Sequence, residues 1–319
     1  MPSSRLKTIA TVFALYCAAS LVAASPIVLA QVEIPPQDEI PPQSVPYRVG
    51  DAGHLYVDAH VNGAGPYSFL IDTASTVSAF TVRDAVDGEA AKKSNAWAII
   101  HGVADYTAHS VVELRSLRVG GVEARGINVV TLPITDSGRE WIGILGMDFF
   151  AGHVAIFRSG PQMLSLVQKA RVPSGAFTGW RRLRAYRDSK LQDNLKLLFV
   201  NVRIDDTYIE GVLDLGSSVN IINWAGAKAI GYEHTHEKLE RSWAIAGANG
   251  AFQPKAIIRK QKMSIGQTQW TAPLLIADTP PLKPLGREDK PFVILNAAFF
   301  GGRDFAIDFE KPEVYLLKD

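Results

Sequence analysis

The chain has 319 residues, 47% of them hydrophobic and 20% charged, enough for two globular units with cores of their own. Its 33 lysines and arginines face 32 aspartates and glutamates, which leaves no basic field for a nucleic acid or an anionic membrane surface. The only cysteine, Cys17, lies near the start, so the rest of the chain has no thiol for catalysis, a metal site or a disulfide.

Residues 1–30 read as an exported leader. Arg5 and Lys7 form a short basic start, Thr8 to Ala30 carries no charge, and Val28-Leu29-Ala30 is a small-x-small end suited to cleavage before Gln31. The apolar run is also long enough to span a bilayer, so an uncleaved membrane anchor is the alternative. Ala14-Leu15-Tyr16 is a poor lipoprotein signal ahead of Cys17. The expected location is periplasmic or secreted, with no stable membrane insertion once the leader is removed. Residues 31–46 write EIPPQ twice; paired prolines favour an extended chain, and the stretch reads as a linker.

Beyond it the sequence is written twice. LYVDAHVNGAGPYSFLIDTASTVSAF (Leu55 to Phe80) has a partner in LFVNVRIDDTYIEGVLDLGSSVNII (Leu198 to Ile222), aligning Asp72 with Asp214, Ser75 with Ser217 and Val77 with Val219. Trp97-Ala98-Ile99 with Gly102 is echoed by Trp243-Ala244-Ile245 with Gly247. WIGILGMDFF (Trp141 to Phe150) is echoed by FVILNAAFF (Phe292 to Phe300), and AIFRSGPQMLSL by AIDFEKPEVYLL. Block order is kept while spacing drifts by a few residues, as loop insertions allow. This predicts an internal duplication: a first unit over 47–170, a basic connector over 171–190 and a second unit over 191–319. The connector, with Arg181, Arg182, Arg184, Arg187 and Lys190, reads as a solvated linker, a docking patch being the alternative.

Within the units, alternation at 56–61 and 199–204 predicts strands, as do VVELRSLRVGG and QKMSIGQTQW around glycine turns. Short helices are expected near Val82 to Ala91 and Trp224 to Ile230. Alone, Asp72 among small and hydroxylated residues reads as a turn. A matched copy some 140 residues downstream asks for more than a turn.

LIDTAS with Ile144-Leu145-Gly146, and VLDLGS with Ile294-Leu295-Asn296, carry a resemblance: each unit is similar to a lobe of the retropepsin-type aspartic proteases. The resemblance implies a mostly β fold of two tandem β-barrel lobes, the acid-protease fold, related by a pseudo-twofold axis. It implies an aspartic-type endopeptidase with Asp72 and Asp214 as catalytic pair, acting on a peptide or protein substrate with no cofactor and no metal. Two facing carboxyls that share one proton supply a base and an acid at once. Thr73 would anchor the contact between lobes, Ser75 and Ser217 would orient the carboxylates through their hydroxyls, and Gly216 would permit the tight turn. Hairpins around Gly102 and around Gly247 and Gly250 would close over the substrate, with Tyr106 a flap side chain or merely a hairpin aromatic. A duplicated chain can build the pair within a monomer; pairing between chains, giving a dimer, is the alternative. Three positions depart from the pattern. Ala74 stands for a glycine, Leu215 for a threonine or serine, and Asn296 for the second unit's glycine. The last two favour a rival reading, a catalytically impaired peptide-binding module of the cell envelope.

Other features carry less. His234-Thr235-His236 reads as an exposed loop rather than a metal site, Asp148 as structural because its counterpart is Ala298, and Trp97 and Trp243 as packing at the flap base.

Overall fold

The computed structural model describes residues 9–12, 19–21, 44–81, 91–102, 106–132, 141–191, 196–242, 244–247 and 250–317. Near the start of the chain, β1 (Ile9–Val12) and β2 (Ala19–Leu21) pair with each other and along β7 (Ala91–His101). The first unit then comprises β3 (Val45–Val49), β4 (Leu55–Val61), β5 (Ala64–Ile71), β6 (Ala79–Thr81), β7, β8 (Tyr106–Val119), β9 (Val122–Leu132) and β10 (Gly143–Leu145). Alternation makes these strands: along β4, Asp58 faces solvent while Val57, Ala59 and Val61 are buried. Asn62 and Gly63, both at positive φ, close the β4–β5 hairpin.

Pairing in this unit runs β4–β5–β10–β6–β9–β8 and returns to β4, with the β5–β10 and β6–β9 contacts parallel. The second unit has β14 (Phe199–Ile204), β15 (Thr207–Leu213), β16 (Asn220–Ile222), α1 (Trp224–Ala229), β17 (Ile245–Gly247), β18 (Gly250–Phe252), β19 (Ala256–Ile265), β20 (Thr268–Ile276) and β21 (Phe292–Leu295). Its pairing runs β14–β15–β21–β16–β20–β19 and returns to β14, with β15–β21 and β16–β20 parallel. The two circuits are alike strand for strand.

Packing within the circuits is alike in volume rather than identity. Gly143 lies opposite Phe69, and a Cβ on Gly143 would meet the Phe69 ring at 2.2 Å. In the second unit Gly211 lies opposite Val293, and a Cβ on Gly211 would meet Val293 Cγ1 at 2.7 Å. The bulky partner has changed strands, and each position holds one large side chain against one glycine.

A third sheet joins the units. β3, β12 (Met163–Gln168), β11 (His153–Arg158), β22 (Phe305–Asp308), β23 (Glu313–Leu316) and β13 (Arg181–Tyr186) lie side by side in that order. The central pair, β11 and β22, brings one strand from each half of the chain together, and Phe157 stacks on Phe305 at 4.3 Å between centroids. Buried aromatic pairs of this kind are worth about 0.5–1.5 kcal/mol beyond their burial. Lys169 pairs with the buried Asp308 at the edge of this seam.

The connector is not a solvated linker. Arg181–Tyr186 forms β13, which pairs with β23 and continues onto β14. Arg182 bonds Glu313 at 2.5 Å, Arg181 donates to Thr268 and Arg187 to the Phe309 carbonyl. Its arginines serve the sheet edge, which charge counting could not separate from solvation. Strand β3 likewise begins at Val45, two residues inside the expected linker. Helix α1 forms where expected, capped by the Asn223 side chain. The helix expected near Val82 to Ala91 falls on residues 82–90, outside the described residues. No helix among the described residues is long and apolar enough to cross a membrane.

Candidate active site

Asp72 and Asp214 follow the ends of β5 and β15, where each parallel ladder with β10 or β21 stops. The backbone N–H of Asp72 still reaches the Leu145 carbonyl at 3.0 Å, and that of Asp214 the Leu295 carbonyl at 2.8 Å. Each aspartate is thus tied to the apolar block of its own copy. The chain then turns sharply, and the N–H two residues on bonds the carboxylate: Ala74 to Asp72 Oδ1 at 2.8 Å, Gly216 to Asp214 Oδ1 at 2.9 Å. The Ser75 N–H adds a second bond to Asp72 Oδ1, at 2.9 Å.

The two loops meet. A Cβ on Gly216 would lie 2.4 Å from Asp72 Cγ and 2.6 Å from its Oδ2, so only glycine lets the second loop pass the first carboxyl. Asp72 and Asp214 are 0% and 1% exposed, so the pair is sealed rather than open to bulk solvent. Asp72 Oδ2 is buried without a hydrogen-bond donor, pressed against Gly216 of the second loop. Burial pushes the Asp72 carboxyl up to about 7, against the pull of the Ala74 and Ser75 N–H groups and the hydrogen bond from Asp214. Burial raises Asp214 well above its ordinary value, and the charge of Asp72 raises it further. Both carboxyls therefore hold their protons above the ordinary carboxylate range, and they titrate as a pair rather than as independent groups.

Thr73 reaches across the seam as expected. Its hydroxyl donates to the Leu213 carbonyl at 2.8 Å and accepts from the Leu215 N–H at 3.1 Å. Leu215 returns no such bond; its side chain is buried in the core. The serines differ from expectation. The Ser75 hydroxyl donates to the Val77 carbonyl at 2.7 Å and that of Ser217 to Val219 at 2.8 Å. Each hydroxyl has one proton and spends it closing its own turn, so backbone N–H groups orient the carboxylates instead.

The departures are accommodated. Ala74 keeps out of the positive-φ region and belongs to a buried cluster with Leu197 and Phe199. Asn296 is a cap: its amide donates to the Ser218 carbonyl at 2.9 Å and its oxygen accepts from the Ala298 N–H. In the first unit Gly146 has no room for a side chain, since a Cβ would meet the Val77 carbonyl at 2.5 Å. There Asp148 does the capping, bonding Ser78 through both its N–H and hydroxyl and the Phe149 N–H. Asp148 is structural, and burial pushes its carboxyl up to about 6.

The hairpin of β7 and β8 carries Gly102, which is buried, and the hairpin of β17 and β18 pairs Gly247 with Gly250. Their tips, 103–105 and 248–249, lie outside the described residues, as does Trp243. Trp97 is 43% exposed and is not packed at a flap base; Tyr106 is also exposed, with its ring beside that of His101. His234 and His236 do not converge, since one packs on Trp224 and the other on Tyr232.

Sequence reading missed His54. It is buried at the mouth of the β3–β4 turn, its Nδ1 is 3.2 Å from the Tyr56 hydroxyl, and burial pulls its basicity below the ordinary imidazole value. The available signal was its place just before the first block, where the second copy has Leu197.

Residues 57–149 match the family model for aspartyl proteases, a stretch that contains Asp72 and ends at Phe149. This likeness supports kinship with the aspartic proteases. No curated protein matches the chain.

Proposed function

We propose that the chain is an exported aspartic endopeptidase built from two tandem acid-protease lobes that arose by internal duplication. The observation that carries this reading is the pair itself: two buried carboxyls from matching loops, each holding its proton above the ordinary carboxylate range. The twin pairing circuits and the exchanged large and small partners at Phe69/Gly143 and Gly211/Val293 support the duplication. The likeness over residues 57–149 supports the chemistry.

In this reading Asp72 takes a proton from a water as that water attacks the peptide carbonyl, and Asp214 gives its proton to the carbonyl oxygen. The tetrahedral diol then collapses: a carboxyl proton passes to the leaving amine and the carbon–nitrogen bond breaks. The hairpins carrying Gly102 and Gly247 to Gly250 would exclude bulk water, and Thr73, Ser75, Gly216 and Ser217 would hold the loops in place. One pair per chain makes a monomer sufficient. The leader at 1–30 would direct the protein to the periplasm or outside the cell.

The sealing of both carboxyls favours a second reading, a peptide-binding module with no turnover. Purified mature protein incubated with a mixed peptide library from pH 4 to pH 9 separates the two. Cleavage reduced at least about a thousandfold by Asp72→Asn and by Asp214→Asn supports the enzyme. Peptide retention without cleavage supports the module and ends the enzymatic reading.

A further inference from the structure

We propose that the pocket at the feet of the second hairpin is a docking site for an acidic peptide segment, lying outside the aspartate cleft. The proposal rests on the reading of the chain as an endopeptidase and deepens it, because it names the class of substrate that the protein would hold best.

A pocket of about 450 Å³ lies beside α1 and at the roots of β17 and β18. Arg241, just ahead of β17, and Lys255, just after β18, line it from the two feet of the hairpin. Trp224 and His234 supply an aromatic wall, their ring centroids 3.7 Å apart. One acid, Glu240, shares the lining, and it is already neutralised: Arg259 Nε donates to its Oε2 at 2.6 Å. Among the described residues neither Arg241 nor Lys255 has an ion pair, so the pocket presents two uncompensated positive charges. His234 adds a ring N–H donor in either tautomer. Donors of this kind suit carboxylates, and the methylenes of a glutamate can pack on the indole of Trp224.

The frame that holds these groups is fixed. Glu240 and Ile257 exchange both backbone hydrogen bonds, at 3.2 and 3.1 Å, which clamps the two feet together. Gln253 Nε2 adds a bond to the Ser242 carbonyl at 2.7 Å. On the other side the Trp224 N–H donates to Asp278 Oδ1 at 3.0 Å, which engages the nearby carboxylate. A frame ordered before binding leaves less entropy to lose when a segment docks.

Topology separates the pocket from the carboxyls. β15 runs parallel to β21 and β16 antiparallel to it, so β16 leads away from the Asp214 end of the sheet. Its three residues carry the chain about 10 Å before Asn223 and Trp224 are reached. A segment in the pocket is therefore held beside the hairpin, leaving the aspartates free for the bond to be cleaved.

The test uses a core peptide that the wild type cleaves, prepared bare, with an amidated Glu-Glu-Glu tail and with an amidated Gln-Gln-Gln tail. Amidation leaves the side chains as the tail's acids. The glutamate tail should lower KM about tenfold and leave kcat within about twofold, and the glutamine tail should do neither. Arg241→Gln combined with Lys255→Gln should abolish the difference while cleaving the bare core at the wild-type rate. Arg115→Gln combined with Lys311→Gln removes equal charge from exposed places elsewhere and should leave the difference intact. Fluorescence anisotropy of a labelled glutamate tail alone reads docking without turnover, with Kd rising about tenfold in the pocket variant. A glutamate tail that neither lowers KM nor binds, or an effect that both double variants lose equally, overturns the proposal. Docking of the tail with no cleavage of any peptide upholds the site and ends the enzymatic reading; cleavage indifferent to the tail does the reverse.

Discussion

The loops of Asp72 and Asp214 share a backbone frame and differ in nearly everything that touches it. Both turn so that the second N–H onward meets Oδ1. But Asp72 receives two such bonds and is followed by Thr73, which grips the other loop; Asp214 is followed by Leu215, which grips nothing. Ala74 sits among apolar neighbours, while Gly216 presses on a carboxyl. The difference matters because two identical acids in identical settings cannot be told apart by a proton. Unequal surroundings act on the two carboxyls differently: burial pushes Asp72 up to about 7, and burial together with the charge of Asp72 pushes Asp214 well above its ordinary value.

The sharpest break of this comparison exchanges the residues at the crossing. Gly216→Ala forces a methyl to 2.4 Å from Asp72 Cγ, and that carboxyl is too short and too enclosed to swing away. We expect about 3 kcal/mol of destabilisation, at the upper end for overpacking, with the pair driven apart. Ala74→Gly should cost about 1 kcal/mol, one buried methyl plus backbone freedom. Denaturant unfolding of both variants checks the ratio; equal costs would mean that the two loops are interchangeable.

The next effect is one of pH. Both aspartates bind their protons more tightly folded than unfolded, so stability is greatest below pH 4 on their account and falls as pH rises through about 7. Asp72→Asn removes the carboxyl pushed up to about 7, and thermal midpoints measured from pH 4 to pH 8 should show it gaining on the wild type as pH rises. The gain at pH 8 is on the order of a few kcal/mol. Asp148, pushed up to about 6, leaves a smaller slope in both proteins. A variant that loses ground with rising pH would contradict the raised Asp72 carboxyl. The same signs give cleavage that rises with pH through about 7, because Asp72 must be ionised to act as base.

A third effect concerns the grip. Thr73→Val keeps shape and removes two hydrogen bonds across the seam, leaving the Leu215 N–H and the Leu213 carbonyl buried. The expected cost is about 2 kcal/mol. Leu215→Thr supplies a second hydroxyl but gives up core packing, so it should not stabilise, and unfolding midpoints for the two variants read the asymmetry directly.

The repeated pattern was legible because strand alternation and the Asp-centred blocks are local signals, and two copies of a local signal reinforce each other. Asp72, Thr73, Asp214 and Gly216 come together because the loops that carry those blocks cross. The serine hydroxyls were misread because a motif names residue types, and only the turn geometry shows that the nearest acceptor is a carbonyl two residues on. His54 was invisible for a different reason: it stands just ahead of the repeated block, and the second copy has Leu197 there, so no matched residue draws notice to it. The connector's strand was hidden because a sheet edge and a solvated loop both tolerate arginines.

The smallest effect tests whether the most conspicuous departure harms the site at all. By the motif alone Asn296 replaces a glycine and should distort the second lobe. In the structure it ties the Ala298 N–H to the Ser218 carbonyl, doing with one amide what Gly146 and Asp148 divide between them in the first unit. Its N–H also donates to the side-chain oxygen of Asn220, which stands where the first copy has Ser78. Asn296→Gly should therefore destabilise by about 1 kcal/mol, the worth of a lost cap, rather than restore anything. Unfolding midpoints and cleavage rates measured together decide the point. A glycine variant that is both more stable and more active would mean that Asn296 is a scar; one that is less stable, with unchanged titration of the aspartates, makes it a second solution to the same turn.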